Sequence, residues 1–153
     1  MSQTVLITGA SNGIGKACAR VFARKGYDLV LVARHREKLE AVKAELSEYD
    51  VNIKVVAMDL TGEDAAVDLY NNLVLDDISI DILVNNAGFG DHGAFHDSSW
   101  EKQKKMVLLN IMALMQMTYV FGQSMKLRKK GRILNVASIA GLCAGPYMST
   151  YYA

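Results

Sequence analysis

The sequence has little proline and little cysteine, and its charges nearly balance. Pro146 is the one proline among 153 residues, so no proline-rich linker divides the chain. Cys18 and Cys143 form no CxxC pair and are too few for a disulfide framework, which indicates a reducing compartment. A formal net charge of +1 argues against a strongly basic nucleic-acid-binding surface.

Targeting and membrane signals are also missing. The N-terminus has no basic segment followed by an apolar stretch, and no apolar run in the chain suggests a membrane span. We therefore expect a single cytoplasmic domain over residues 1–153 that contacts neither membrane nor nucleic acid. The local cluster of basic residues at 126–132 is expected to cap the C-terminal end of a helix.

What the chain does contain is a regular alternation of strand and helix patterns. Strands are predicted at 5–7, 28–33, 53–57, 80–84 and 132–136. Helices are predicted after the first strand, around 39–49, around 69–73 and over 100–130, the last ended by Gly131. This order predicts an α/β fold with a doubly wound parallel sheet, a three-layer αβα Rossmann fold that stops after about the fifth strand.

The most informative segment is the glycine-rich turn 8–15, with the sequence TGASNGIG, between the first strand and the first helix. Glycines allow a sharp turn and a close approach to a ligand, and the N–H groups of a helix N-terminus attract anions. The segment predicts a diphosphate site, formed by Gly9, Ser11, Asn12, Gly13, Ile14 and Gly15. The alternative is a tight turn without a ligand. A mononucleotide ATPase is excluded because Lys16 is followed by Ala17 rather than by serine or threonine.

Further polar motifs follow the later strands. Asn85-Asn86-Ala87-Gly88 follows the fourth strand, Asn110 lies in the long helix, Ser138 follows the fifth strand, and Tyr151 comes thirteen residues later. Joined to the glycine turn, these motifs resemble the short-chain dehydrogenase/reductase family over residues 4–153. The resemblance implies that the NNAG segment, including Asn86, Ala87 and Gly88, steadies the central sheet beside the adenine ribose. It also implies that Asp59, followed by Leu60, contacts the adenine ring.

The resemblance implies catalytic roles for three residues. Tyr151 would be the general acid/base, Ser138 would polarise the substrate carbonyl, and Asn110 would hold a proton-relay water. These roles suit hydride transfer, which leaves charge on the carbonyl oxygen. Each residue also has a simpler explanation: a helix cap for Ser138, local hydrogen bonding for Asn110 and a half-buried surface position for Tyr151.

The segment Tyr151-Tyr152-Ala153 resembles the start of the family's YxAxK motif, whose lysine would come two residues after Ala153. We therefore expect the chain to be the N-terminal portion of a longer enzyme and to be inactive alone. A free tyrosine ionises near pH 10, and in the family the lysine helps to lower that value. A catalytically silent dinucleotide-binding sensor or interaction module is the alternative function.

Arg34 indicates the cofactor. It lies at the end of the second strand, about twenty residues past the glycine turn, where a guanidinium could bind a 2′-phosphate. No carboxylate appears there before Glu37, so NADP is expected in preference to NAD. The alternative is that Arg34 only begins the next helix or faces solvent.

The expected reaction interconverts a carbonyl compound and an alcohol. Apolar or small residues after the fifth strand, such as Ile139 and Leu142, favour an apolar carbonyl substrate over a sugar. His92 and His96 are expected to border the substrate mouth, and no metal site is expected. The methionines of the long helix fill the core where they point inward, whereas Met112 or Met115 could contact a partner subunit in a homo-oligomer.

Overall fold

The computed structural model describes residues 2–143 and 145–153, and its centre is a sheet of five parallel strands. The strands are β1 (Thr4–Thr8), β2 (Asp28–Ala33), β3 (Ile53–Ala57), β4 (Ile82–Asn85) and β5 (Arg132–Asn135). Their order is β3-β2-β1-β4-β5, and all four pairings are parallel. The order reverses between β1 and β4, so the predicted doubly wound sheet is confirmed, with its switch point beside the glycine turn.

Helices cover both faces of the sheet. They are α1 (Gly13–Arg24), α2 (Arg36–Glu45), α3 (Ala65–Leu75), α4 (Trp100–Val107), α5 (Leu114–Leu127) and the short α6 (Ser149–Tyr152). A π-helical segment, Leu108–Ala113, joins α4 to α5 without a break. Turns of 3₁₀ helix occur at Phe95–Asp97 and Ile139–Gly141.

Two apolar layers hold the helices on the sheet. Alternate residues of a strand point to opposite faces, so Leu6 packs with α3 and α5 while Val5 and Ile7 pack with α1 and α2. Phe121 and Leu69 fill the first layer, and both are fully buried. The resulting order of layers is helix, sheet, helix, as the sequence predicts.

The buried face of α1 differs from the apolar spacing in the sequence. Gly15, Ala19 and Ala23 are its buried residues, whereas Ile14 and Val21 are exposed. Small residues let the helix backbone lie close to the sheet, and a Cβ on Gly15 would be 2.4 Å from the carbonyl oxygen of Gly9. The helix was predicted correctly, and among its larger apolar residues Cys18 and Phe22 pack against the core while Ile14 and Val21 do not.

The long helix ends at Leu127, and the prediction that Gly131 ends it is wrong. Lys129 takes the left-handed conformation with φ +53°, and the N–H groups of Lys129 and Lys130 donate to the carbonyls of Lys126 and Met125, both at 3.1 Å. This is a Schellman ending. Gly131 has a packing role instead, since a Cβ there would lie 2.3 Å from Cγ of Met125.

Two further boundaries differ from the sequence-based expectation. Strand β4 begins at Ile82 rather than at residue 80, and α2 ends at Glu45, so Tyr49 packs against the core from the following loop. The helix Trp100–Leu127 is also long and apolar enough to cross a membrane, contrary to the expectation from the sequence. This test concerns length and composition only; the helix packs on the sheet through Phe121, and 22% of its apolar window is buried.

Candidate functional site

A cleft of about 590 Å³ opens at the carboxyl ends of the strands. Eleven of the twelve residues predicted to bind the cofactor line it: Gly9, Ser11, Asn12, Gly13, Ile14, Arg34, Asp59, Leu60, Asn86, Ala87 and Gly88. The twelfth, Gly15, lies behind the turn against Gly9. The cleft is also lined by residues that were not predicted to bind the cofactor, among them His35, Lys38, Met58, Phe89 and Leu109.

The glycine turn needs glycine at position 9 for two reasons. Gly9 has φ +66°, a region that side chains with a Cβ rarely adopt. A Cβ on Gly9 would also lie 2.8 Å from Nδ2 of Asn86 and 2.9 Å from the Cα of Ala87. The turn and the β4 loop therefore lie in direct contact, and together they form one wall of the cleft.

The start of α1 suits an anion. Asn12 is the N-cap residue, yet its side chain caps no backbone N–H, and the first turn contains no carboxylate. The leading N–H groups of the helix remain free of helical partners, and the helix dipole adds partial positive charge there. A Cβ on Gly13, which lines the cleft, would meet no atom of the described residues within 4 Å. These features fit a diphosphate group.

Thr8 connects the turn to the NNAG motif. Its Oγ1 accepts from the N–H groups of Asn86 at 2.9 Å and Ala87 at 3.0 Å, and it donates to the carbonyl of Val84 at 3.3 Å. The side chain of Asn86 binds back to the turn: its Nδ2 donates to the carbonyl of Thr8 at 3.0 Å and to that of Gly9 at 3.3 Å. The ends of β1 and β4 are thus fixed together.

Asn85 joins β4 to its other neighbours. Its Nδ2 donates to Oγ1 of Thr118 at 3.0 Å and to Oδ1 of Asn135 at 2.9 Å. The side chain is buried, and its Oδ1 has no hydrogen-bond partner in the part of the chain that the structure describes. This arrangement links the strand to α5 and β5.

The side of the cleft next to the end of β2 carries positive charge. Arg34 follows β2, and His35 and Lys38 line the cleft beside it. Lys38 lies in the first turn of α2, whereas Arg34 precedes the N-cap residue His35. The pair therefore has no helical spacing that could have identified Lys38 from the sequence.

Asp59 is a charged acceptor that also lines the cleft and follows β3, the strand paired with β2. Burial favours the neutral acid, but hydrogen bonds from the N–H of Thr61 at 3.0 Å and from its Oγ1 at 2.9 Å outweigh that effect. Arg34 and Lys105 add favourable charge, so the pKa of Asp59 lies below its ordinary value. The carboxylate can therefore accept a hydrogen bond from an amino group near neutral pH.

Asn110 lies in the π-helical segment and holds the loop that follows β4. Its Oδ1 accepts from the N–H of Phe89 at 3.0 Å, and its Nδ2 donates to the carbonyl of the same residue at 2.8 Å. A Cβ on Gly88 would be 3.1 Å from Oδ1 of Asn110, so the side chain also lies against Gly88. Irregular π turns often occur at functional sites because they shift helix side chains out of register.

Ser138 and Tyr151 are not among the residues that line the cleft. Ser138 is exposed, three residues after the end of β5, and its Oγ accepts from the N–H of Ala140 at 3.2 Å, which leaves its O–H free to donate. Helix α6, which carries Tyr151, contacts the 3₁₀ turn that follows Ser138. Gly90, two residues after Gly88, lies against the ring of Tyr151.

The two histidines after the NNAG motif have different surroundings. The ring of His92 packs against that of Tyr147 with 5.7 Å between ring centres, and His96 is exposed with its Nε2 3.6 Å from Oδ1 of Asp97. Within residues 2–143 and 145–153, no three histidine, cysteine or acidic side chains are grouped as metal ligands would be.

The strand order, the glycine turn and the cleft define a dinucleotide-binding protein of the Rossmann class. A family model described as short chain dehydrogenase matches residues 3–153. The chain belongs to this short-chain dehydrogenase family, as its motifs predict.

Characterised relatives and solved structures agree. The chain is 36% identical over 154 residues to the very-long-chain 3-oxoacyl-CoA reductase of Phaeosphaeria nodorum, covering 95% of this chain and 44% of the relative. It is 37% identical over 161 residues to the 17-beta-hydroxysteroid dehydrogenase type 3 of Mus musculus, covering 100% and 50%. The chain thus spans about half the length of these relatives.

Two solved structures contain different cofactors. A short-chain dehydrogenase from Sphingobium yanoikuyae in complex with NADPH superposes with a TM-score of 0.90 at 37% identity, covering 98% of this chain and 59% of that one. A 4-hydroxyisoleucine dehydrogenase complexed with NADH gives a TM-score of 0.89 at 29% identity, covering 99% and 61%. The family therefore supports a nicotinamide dinucleotide in the cleft, without distinguishing the two forms.

Proposed function

We propose that the complete protein is an NADP-dependent oxidoreductase that interconverts a bulky apolar ketone or aldehyde and its alcohol. The observation that carries this proposal is the cleft. Eleven of the residues predicted to bind the cofactor line it, from the glycine turn to the NNAG motif. Bound NADPH would supply a hydride to the carbonyl carbon. The protein's own contribution is to hold the substrate and deliver a proton to the oxygen.

Three side chains make that contribution in the proposed mechanism. Ser138 donates its free O–H to the substrate carbonyl oxygen, which polarises the carbonyl. Tyr151 gives its phenolic proton to the same oxygen and recovers a proton from solvent. Asn110 holds the loop at Phe89, between the cleft and Gly90, and takes part in the proton relay. The net change is one carbonyl, one hydride and one proton converted to an alcohol.

Charge at the end of β2 supports NADP as the cofactor. Arg34, His35 and Lys38 provide donors on that side of the cleft, and the only carboxylate between Arg34 and Lys38, that of Glu37, does not line it. A guanidinium binds a phosphate through two parallel hydrogen bonds, whereas the unphosphorylated ribose is usually held by a carboxylate.

The surroundings of α6 support an apolar substrate. Ile139, Leu142 and Tyr147 are exposed near Ser138 and Tyr151, and no charged residue occurs from 137 to 153. The names of the two relatives, a very-long-chain 3-oxoacyl-CoA reductase and a 17-beta-hydroxysteroid dehydrogenase, point to similarly large apolar carbonyls.

A carbonyl panel tests the proposed function. The complete protein is incubated with NADPH or NADH and with steroid ketones, long-chain 3-oxoacyl thioesters and a ketose. Faster oxidation of NADPH with the apolar ketones supports the proposal, and preference for the ketose refutes the substrate class. Tight NADPH binding without turnover of any compound would favour the sensor alternative.

We also propose that residues 1–153 alone give no turnover, because they lack the lysine of the YxAxK motif.

We further propose a cytoplasmic homodimer formed through the outer face of the long helix. Met112, Met115 and Tyr119 are exposed there and line a groove of about 630 Å³. Sedimentation of the complete protein tests this proposal. Met115→Asp should convert a dimer to a monomer, whereas Leu127→Asp, at an exposed site outside the groove, should leave the dimer intact.

A further inference from the structure

The loop Gly90–Gly93 lies directly under the residue proposed as the proton donor. A Cβ on Gly90 would be 3.4 Å from Cδ2 and 3.6 Å from Cγ of Tyr151, and 3.1 Å from Cε of Met148. The ring of Tyr151 therefore rests on bare loop backbone. Any displacement of this loop moves the surface that supports the ring.

One side of the loop is anchored to α4 through Asp91. Its Oδ2 accepts from Nε2 of Gln103 at 3.1 Å, and its Oδ1 forms an ion pair with Nζ of Lys102. Gln103 is 6% exposed and the side chain of Asp91 is 14% exposed, so the contact is largely shielded from water. A shielded carboxylate with a neutral and a charged donor fixes a loop better than a surface ion pair does.

The other side of the loop is joined to the segment before α6. The N–H of Gly93 donates to the carbonyl of Tyr147 at 2.8 Å, and the ring of His92 packs against the ring of Tyr147. Tyr147 has φ +62°, a left-handed conformation that costs a residue with a Cβ about 1 kcal/mol. Such a conformation persists where surrounding contacts hold it, and it sets the direction in which the chain enters α6.

We propose that Asp91 is a positioning residue that acts on Tyr151 through the loop Gly90–Gly93. Asp91 fixes the loop to α4, Gly90 supports the phenol ring, and the Gly93–Tyr147 hydrogen bond fixes the backbone that leads into α6. The role of Asp91 rests on the proposed function, in which Tyr151 transfers a proton. It adds a residue that contacts neither cofactor nor substrate.

Kinetics of the complete protein test the proposal. Asp91→Ala removes both anchoring contacts and should lower kcat between about tenfold and a hundredfold, as expected for a misplaced reacting group. The pH profile of kcat should move as well, while the Kd for NADPH stays within about twofold. Asp91→Asn keeps an oxygen for Gln103 and should restore part of the rate. Asp97→Ala, an exposed carboxylate in the same region that pairs with His96, is the matched control.

A second variant does not depend on the Asp91 anchor. Gly90→Ala adds one methyl group against the ring of Tyr151 and should lower kcat in the same way. Gly122→Ala, in α5 with Cδ1 of Ile133 at 3.9 Å from the added carbon, controls for the methyl group itself. If Asp91→Ala and Gly90→Ala both retain the wild-type kcat and pH profile, the proposal is wrong. Equal losses of NADPH affinity and kcat would also overturn it, because they indicate general damage.

Ring resonances separate this proposal from the proposed function. A wild-type protein that reduces no carbonyl refutes the function but leaves the structural claim open to NMR with ¹³C-labelled tyrosine. The Tyr151 signal should then shift in Asp91→Ala while that of Tyr27, which packs in the core layer with α1 and α2, stays in place. An unmoved Tyr151 signal would show that Asp91 does not position this ring.

Discussion

The side-chain amide of Asn86 lies directly against Gly9. Nδ2 of Asn86 donates to the carbonyl of Gly9 at 3.3 Å, and a Cβ on Gly9 would lie only 2.8 Å from that nitrogen. The glycine turn and the loop after β4 are therefore one unit. A change at either residue should be felt at the other.

Gly9→Ala tests this relationship. The added carbon meets both a left-handed φ and the atoms of Asn86 and Ala87, so we expect at least tenfold weaker NADPH binding, about 1.4 kcal/mol, together with lower stability. Gly26→Ala is the control, since Gly26 has φ +79° but no atom of the described residues within 4 Å of the added carbon. Titration calorimetry measures NADPH binding by the two variants, and urea unfolding measures their stability. If Gly9→Ala and Gly26→Ala have equal effects in both measurements, the contact with Asn86 is unimportant.

Thr8→Val removes the hydroxyl that accepts from the N–H groups of Asn86 and Ala87. Two donors in a largely buried site then lose their partner, and we expect the free energy of unfolding to fall by about 2 kcal/mol or more. Thr8→Ser keeps the hydroxyl and should lose much less. Urea unfolding of the three proteins measures the difference, and similar losses in both variants would show that packing of the methyl group matters instead.

Asp81 gives a pH-dependent contribution to stability at the opposite end of the sheet. Burial favours the neutral acid, but Lys130 at 2.9 Å, the N–H of Thr4 at 3.1 Å and Arg128 hold the pKa of Asp81 below its ordinary value of 3.8. A lowered folded-state pKa means that the contribution is complete above the unfolded-state value and is lost as pH falls through the folded-state value.

The comparison is therefore between wild type and Asp81→Asn as pH falls below about 4. The wild-type free energy of unfolding should drop more steeply than that of the variant, so the gap between them should narrow. Chemical unfolding at a series of pH values checks this. A gap that stays constant across the range would contradict the assigned ion pairs.

Arg34→Asp should reverse the charge where the 2′-phosphate is proposed to bind. Loss of a charge-assisted contact should reduce the preference for NADPH over NADH by at least about tenfold. Arg36→Asp makes the same change two residues away, at an exposed site that does not line the cleft, and controls for long-range charge. Dissociation constants for both cofactors decide the matter, and an unchanged ratio in Arg34→Asp would refute the assignment.

Much of this architecture could be predicted from sequence, because parallel strands and glycine turns have strong local signals. Strands β2 and β3 were predicted to the residue, and so was most of the group of residues that lines the cleft. The ending at Lys129 was missed, since a left-handed lysine has no compositional signal and Gly131 offered a better one.

The contacts that support the site were not predictable. The pairing of Asp91 with Gln103 depends on how a loop meets a helix twelve residues later, and no periodicity records it. The π-helical segment around Asn110 was not predictable either, because its residues fit an ordinary helical pattern. Local sequence patterns therefore identified residues of the cleft, whereas the contacts that support these residues depend on tertiary packing.

Tyr151→Phe gives the most direct test of the central claim, that a phenol beside the dinucleotide cleft delivers the proton in carbonyl reduction. The variant is compared with the complete wild-type protein, using the best apolar ketone and NADPH, with Tyr152→Phe as the control. We expect kcat to fall by about a hundredfold or more in Tyr151→Phe alone, with NADPH affinity preserved. Equal turnover by Tyr151→Phe and wild type would contradict it.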